Sequence, residues 1–496
     1  MKYLGVNIVE GRVAFSYMED LVNKIRNKVS GWKTRLLSAG GKLILLKHVL
    51  LSLPIYLLSV VQVPKSVLNS INRILSNFFW GESDGSPKRK WCAWNKICKP
   101  IKEGGLGVRD LEEVQNSLHM KFAWKIITEN SLWAQFFRGK YVKGIHLSLL
   151  DKTKGTRFWK MIMKQIPHVL ERARWKVRDG QISFWFDAWT GTGPLVDSLQ
   201  LTELPGLKLH DCKLGNEWDI QLLERLVGVQ KTEELIEELG KPRQGKDLLV
   251  WTPVIDGHFT TRSAWECLRV RSSETPWAAW VWHETLLKKM SIMVWKAWHN
   301  SLSVDDRLRR IGIPVVLKCS CCAEGGYEDV NHILYSGNFA QKIWRKYANS
   351  FGLPFREYIT WKENLNLWFR RASRSSQMGV IMGILPTVIT WKLWTRRCRS
   401  RMEGYVESME EVWFVVRLWL MRLLKETSSF RKLANEDKEI LSAMNIKILP
   451  VKMRQVQVVR WIKPRQGEFK LNTDGCSLNN PGISGAGVFY VMRREI

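Results

Sequence analysis

Cys319-Ser320-Cys321-Cys322, followed ten residues later by His332 within Glu328-Asp329-Val330-Asn331-His332-Ile333-Leu334, is the one stretch where cysteine and histidine stand at metal-ligand spacing. Cys319-x-x-Cys322 makes a knuckle, and a structural zinc site closes four ligands into a tetrahedron. Cys319, Cys322 and His332 supply three of them. The position five after His332, where a fourth is sought, is Gly337. Adjacent cysteines rarely reach two corners of one small tetrahedron, so Cys321 is a poor substitute. The expectation is an incomplete knuckle that holds zinc weakly or not at all.

Around the knuckle stand Phe259-Thr260-Thr261-Arg262-Ser263-Ala264-Trp265, Trp280-x-Trp282, Trp295-Lys296-Ala297-Trp298-His299-Asn300, Asp305-x-Arg307-Leu308 and Ile311-Gly312-Ile313. This region resembles the zinc-binding region of plant LINE-type (non-LTR) retrotransposon reverse transcriptases. There the pattern is Cys-x-x-Cys, then His, then a last Cys. The resemblance implies Cys319, Cys322 and His332 as metal ligands, and the sequence departs from it at Gly337.

The 496 residues carry a formal net charge of +30, and 45% of them are hydrophobic. Such a chain buries several cores and is not disordered. The Lys and Arg surplus favours polyanions, chiefly nucleic acid, through release of condensed counterions. The nine cysteines show no disulfide framework, and no N-terminal apolar segment with a cleavage site precedes them. An intracellular chain is expected, in nucleus or cytoplasm, with no signal peptide, no transmembrane segment and no small-molecule substrate. The apolar run Val49 to Val63 is broken by Pro54 and is shorter than the roughly 20 residues that span a bilayer. It reads as core. Most of the 26 tryptophans sit at helical spacing among Leu and Ile and read as core, the rest as stacking surfaces.

Taken in order, Lys2 to Ile8 reads as a strand, and its Tyr3-Leu4-Gly5 resembles the segment closing a polymerase palm, so residues 1–17 are expected to be a palm remnant. Two-metal polymerisation needs carboxylates that this stretch does not supply. Ser303-Val304-Asp305-Asp306 is no replacement and reads as a helix N-terminus. Residues 18–130 are expected to be helical, and Gly31-Trp32, Leu37-Ser38-x-Gly40-Gly41-Lys42, Leu53-Pro54-x-Tyr56 and Phe78-Phe79-Trp80-Gly81 there resemble the thumb of the same reverse transcriptases, which implies a thumb-like region. Apolar residues recur there at three- and four-residue steps, Gly40-Gly41 marks a turn between helices, and Asp110 starts a further helix. Lys24, Lys28, Arg35 and Lys42 present a basic stripe for phosphates. The glycines at 104, 105 and 107 make a turn, since no Lys-Ser/Thr follows them as in a phosphate cradle.

Residues 131–246 form a connector. It holds a Trp-rich hairpin turning at Arg178-Asp179-Gly180 and an acidic helix Lys231 to Leu239. The zinc-binding-like domain covers 247–350 and opens on a second hairpin at Asp256-Gly257. Residues 351–459 are a basic helical linker in which Arg396, Arg397, Arg399 and Arg401, beside Trp391 and Trp394, suit phosphates and bases or else a solvated helix face. In 460–496 a strand through Asp474 and a return through Gly485 to Val491 resemble the opening hairpin of the ribonuclease H fold. There Asp474 matches a metal-binding aspartate, with Mg or Mn implied only if the remaining carboxylates are supplied.

The fold expected is therefore mainly α with small β hairpins, with thumb-like and zinc-binding-region-like segments, ending in an incomplete α/β ribonuclease H-like hairpin. The function expected is a retrotransposon-derived nucleic-acid-binding fragment, tolerant of RNA, DNA or hybrid. It is inactive as a polymerase and as a hybrid ribonuclease unless missing sequence or a partner completes it. The alternative is a ribonuclease H-type hydrolase of RNA in RNA-DNA hybrids.

Overall fold

The structure, a computed structural model, describes residues 2–3, 6–7, 15–31, 37–83, 86–198, 206–215, 217–322, 325–425, 430, 432–451, 469–478 and 483–492. It is mainly helical, with short antiparallel strand pairs. The first apolar run is a pair of two-residue strands, β1 (Lys2–Tyr3) and β2 (Val6–Asn7), with Tyr3 opposite Val6. Leu4 and Gly5 lie outside the described residues. Helix α1 (Glu19–Ser30) buries Val22 and Ile25, and Glu19 and Asp20 in its first turn meet the positive end of its dipole. Gly40 and Gly41 do not separate two helices. The Ser38 hydroxyl accepts from Gly41 N at 3.3 Å, which starts α2 (Ala39–Leu45) and places both glycines in its first turn. After Pro64, α3 (Lys65–Trp80) buries Ile71, Leu75, Phe78 and Phe79. Asp110 caps α4 (Leu111–Thr128), its carboxylate accepting from Glu112 N at 2.8 Å, as its position before an apolar run implies.

The middle of the chain departs from the expected hairpins. After α5 (Arg157–Leu170), strand β3 (Ala173–Lys176) runs into Arg178-Asp179-Gly180, yet no strand returns beside it. The Asp247 carboxylate takes the turn's donors instead, from Arg178 N at 2.6 Å, Gly180 N at 2.9 Å and Gln181 N at 2.6 Å. Beyond helix α6 (Val229–Leu239), β3 finds its partner in β4 (Leu248–Trp251), Ala173 facing Trp251. Trp251 N donates to Gly257 O at 2.9 Å and closes the turn at Asp256-Gly257 without a second strand. A core of Ile162, Ile166, Met120 and Trp251 joins α4 and α5 to this pair, with Trp124 stacked on Phe259 at 5.1 Å.

The largest core unites distant stretches of chain. It takes Ile25 of α1 and Ile71 of α3, and continues through α7 (Thr261–Leu268), α8 (Ala278–Val281) and α9 (Lys288–Trp298), then Leu302 and Val304, which lead into α10 (Asp305–Arg310). It is completed by Trp344 of α11 (Asn338–Ser350), Trp361 of α12 (Trp361–Arg371), Ile389 of α13 (Gln377–Glu403) and Leu420 of α14 (Met409–Leu424). By length and composition alone α13 could cross a membrane, but 83% of its apolar window is buried inside the protein. It is apolar nearly all round because neighbours cover it nearly all round. None of the described tryptophans is exposed, which accounts for their number by packing. Near the end, β5 (Phe469–Leu478) pairs in antiparallel register with β6 (Ile483–Met492), Asp474 opposite Gly487. Residues 479–482 and 452–468 lie outside the described residues.

Gly383 is where α13 meets α8. A Cβ there would stand 2.0 Å from Cε3 of Trp280, whose ring is stacked on His283 at 5.6 Å. Alanine would gain up to about 1 kcal/mol in helix propensity, whereas overpacking a filled site costs about 1–3 kcal/mol or more. The clash wins. Gly383→Ala is expected to destabilise the protein by about 1–2 kcal/mol, read as a lower urea midpoint at unchanged slope; equal or greater stability would show that Trp280 yields freely.

Candidate metal centre

The knuckle is a loop closed at its neck. Lys318 and Tyr327 form an antiparallel bridge, Cys319 N donates to Gly326 O at 2.8 Å, and Gly325 N donates to Cys322 O. His332 enters from the other side, on the first residue of the π turn His332–Ser336, its backbone N held by the Asp329 carboxylate at 2.6 Å. Sequence spacing argues against Cys321, which adjoins Cys322. The structure nevertheless places its Sγ 3.1 Å from that of Cys319, and the sulfurs of Cys319, Cys321 and Cys322 lie within 4.8 Å of one another. His332 Nε2 stands 3.3 Å from Cys322 Sγ. Sulfurs on one zinc stand roughly 3.8 Å apart, given Zn–S bonds of about 2.3 Å. The cluster brackets that spacing, and its three sulfurs and one imidazole nitrogen suit zinc in kind and number.

Gly337 faces the same centre. A Cβ at 337 would fall 2.6 Å from His332 O and 3.2 Å from His332 Nε2, because the π turn brings the Gly337 backbone back onto the histidine. A side chain at 337 needs that turn to open. The position is spatially right for a ligand and locally closed to one.

Contacts with Cys321 and then Cys322 hold the Cys319 thiol far below its ordinary range. The contact with Cys319 pushes Cys321 up, and Cys319 and Cys322 push the His332 imidazole up to about 10. The shifts of Cys319 and His332 favour their charged forms, so a metal bound here competes with protons. Cys321, Cys322 and His332 open on a cavity of about 450 Å³ that Lys342 and Arg396 also line.

Residues 259–344, which hold this knuckle, match the family described as zinc-binding in reverse transcriptase. The chain is related to plant retrotransposon reverse transcriptases. An Arabidopsis thaliana protein named "Putative ribonuclease H protein" is 26% identical over 97% of this chain and 77% of its own length. A second Arabidopsis thaliana protein, an "Uncharacterized mitochondrial protein", is 28% identical over 28% of this chain and 93% of its own length.

In this reverse-transcriptase relative the arginine cluster of α13 supports the knuckle from within. Arg396 is buried, donating to Cys321 O at 2.9 Å and Glu407 O at 2.8 Å, with its guanidinium 3.5 Å from the Phe339 ring centre. Ser400 Oγ donates to Ser320 O at 2.8 Å. Arg397, also buried, donates to the Glu328 carboxylate at 3.1 Å and stands 3.5 Å from Asp305. Arg401 pairs with Asp305, and Arg399 donates to Glu403 and Glu407. Arg396 and Arg397 are thus withdrawn from solvent, whereas Arg399 and Arg401 remain exposed while paired with acids. The signal in the sequence is Glu328 and Asp305, acids flanking the knuckle that need a buried cation.

The N-terminal stripe separates into parts. Lys24 and Lys28 are exposed one turn apart on α1, with no hydrogen bond or ion pair among the described residues. Lys42 is half-buried with its ammonium 5.7 Å from the Phe78 ring centre. Arg35 lies outside the described residues, and of Asp474 the structure gives the strand position alone.

Asp305 and Glu328 are fully buried, and Glu328 Oε2 and Asp305 Oδ2 have no hydrogen-bond partner among the described residues. Removing a buried ion's partner costs about 3–5 kcal/mol. Arg397→Ala is expected to destabilise by that amount in urea titration, and Arg401→Ala by less, since Arg401 is one-third exposed. Equal effects would mean that Arg397 is not the principal counter-ion.

Proposed function

We propose that this chain is a retroelement-derived nucleic-acid-binding protein that grips phosphates without reading sequence and braces its central domain with a zinc knuckle. Its reverse-transcriptase and ribonuclease H-named relatives act in a nucleic-acid setting. The observation that carries the reading is the pair Lys24 and Lys28. Both are exposed on α1, beside the face that buries Val22 and Ile25, and have no partner among the described residues, in a chain of net charge +30. Hydrolysis of RNA in a hybrid takes second place. It rests on the β5–β6 hairpin and Asp474, and two-metal hydrolysis requires several carboxylates around both ions.

Lys24→Gln with Lys28→Gln should lower the log-log salt slope of duplex binding by about 0.9 for each phosphate no longer neutralised. The unfolding midpoint should stay put, because solvated charges contribute little to folding. An unchanged slope would make α1 a solvated face and nothing more.

Zinc belongs to the same reading, held by Cys319, Cys321, Cys322 and His332. Metal analysis of the reduced protein should give one zinc per chain. Cys321→Ser should weaken it by more than the roughly tenfold that follows loss of a group merely hydrogen-bonded to a ligand. Because His332 is pushed up to about 10, it holds its proton at neutral pH, so zinc affinity should rise between about pH 6.5 and 8.5. Unchanged affinity in Cys321→Ser rules that residue out as a ligand.

A further inference from the structure

A cleft lies between α3, residues 90–95 and α10. Its volume is about 740 Å³, within the usual range of ligand sites. The α3 wall is Asn69, Asn72, Arg73 and Ser76, a polar stripe at helical steps on a helix whose other side is core. Across from it stand Lys90, Trp91 and Trp94, and Arg307 of α10 closes the end.

Two features set this cleft apart from an ordinary surface fold. Its three cations, Arg73, Lys90 and Arg307, have no ion-pair partner among the described residues. The single acid in its wall, Asp110, is engaged in capping α4. Moreover, three buried polar atoms have no hydrogen-bond partner among the described residues: the acceptor Asn72 Oδ1 and the donors Trp94 Nε1 and Arg307 Nε. Folded proteins leave few such groups unmet, and these three belong to residues that line one cleft. One acceptor and two donors match the mixed edge of a nucleobase, the surplus of positive charge matches its phosphate, and the half-buried indoles of Trp91 and Trp94 offer stacking surface.

We propose that this cleft is a nucleotide subsite that receives one unpaired base and its phosphate from a single-stranded nucleic acid. The proposal rests on the nucleic-acid reading of the chain and adds to it a place and a strand state. A paired base lies inside its stack and cannot enter a cavity, so the site discriminates single strand from duplex. Sequence preference is weak, since every base has a stacking face.

The test compares three probes on the full chain: an oligothymidylate single strand, an abasic strand of the same length and charge, and a duplex. Wild type should bind the oligothymidylate more tightly than the abasic strand. The double variant Trp94→Phe with Arg307→Gln keeps an aromatic ring in the wall while removing both orphan donors. It should lose about tenfold for the oligothymidylate and only the smaller factor that follows loss of one cation for the other two probes. The subsite is overturned if the variant binds the oligothymidylate as wild type does, or loses all three probes equally. If wild type binds duplex in a salt-dependent way yet shows no preference for bases over the abasic strand, the subsite fails and the nucleic-acid reading stands. If it binds none of the three, both fail.

Discussion

Two carboxylates that see no water, those of Asp305 and Glu328, set the constraint on which the centre of this protein depends. A buried charge without a partner is costlier than most single interactions can offset, so a cation must be brought to them. Arg397 is that cation, and it sits on the longest helix of the described residues. Asp305 opens α10, Glu328 follows the knuckle, and Arg397 lies near the C-terminal end of α13. Three stretches far apart in sequence are thereby fixed at one point. Glu328 Oε1 also accepts from Asp305 N at 3.2 Å, which ties the helix start to the knuckle without the arginine. The neighbours Arg396 and Ser400 then hold the carbonyls of Cys321 and Ser320 from the same helix.

Much of the local structure is legible in the sequence because local rules suffice for it. Asp110 before an apolar run, Asp305-Asp306 before basic residues, and the acidic helix near Lys231 all appear as helices, since capping and periodicity act within a turn or two. The paired strands around Asp474 appear too. Local rules miss the long-range satisfaction of the backbone. Nothing near Arg178 reveals that Asp247 takes three turn donors, and so β3 pairs with β4 and not with its neighbour. Gly40-Gly41 has the composition of a break, and the Ser38 cap makes it a beginning.

The candidate sites are legible as composition and only partly as geometry. Cys319, Cys322 and His332 come together as their spacing implies, and Cys321 joins them because the loop neck turns the backbone tightly enough to present adjacent thiols to one centre. The arginines of α13 announce their charge in the sequence but not its counterweight. For Arg397 and Arg401 that lies in acids more than sixty residues upstream, which no window on the helix contains. Part of the formal surplus of positive charge is therefore internal, and a count of Lys and Arg overstates what the surface offers to a polyanion.

Helix α13 also acts as a ruler. Gly383 seats it against Trp280, and fourteen residues or about 21 Å later Arg397 reaches the buried acids. Each residue added to an α-helix rotates the remainder of that helix by about 100° and advances it by about 1.5 Å. One insertion between these two points would leave Gly383 in its notch and swing Arg396, Arg397 and Ser400 off the knuckle together. The spacing within this helix is thus held more tightly than the identity of most residues in it. Its interior can drift in sequence among apolar types, but its length between the two anchors cannot drift at all.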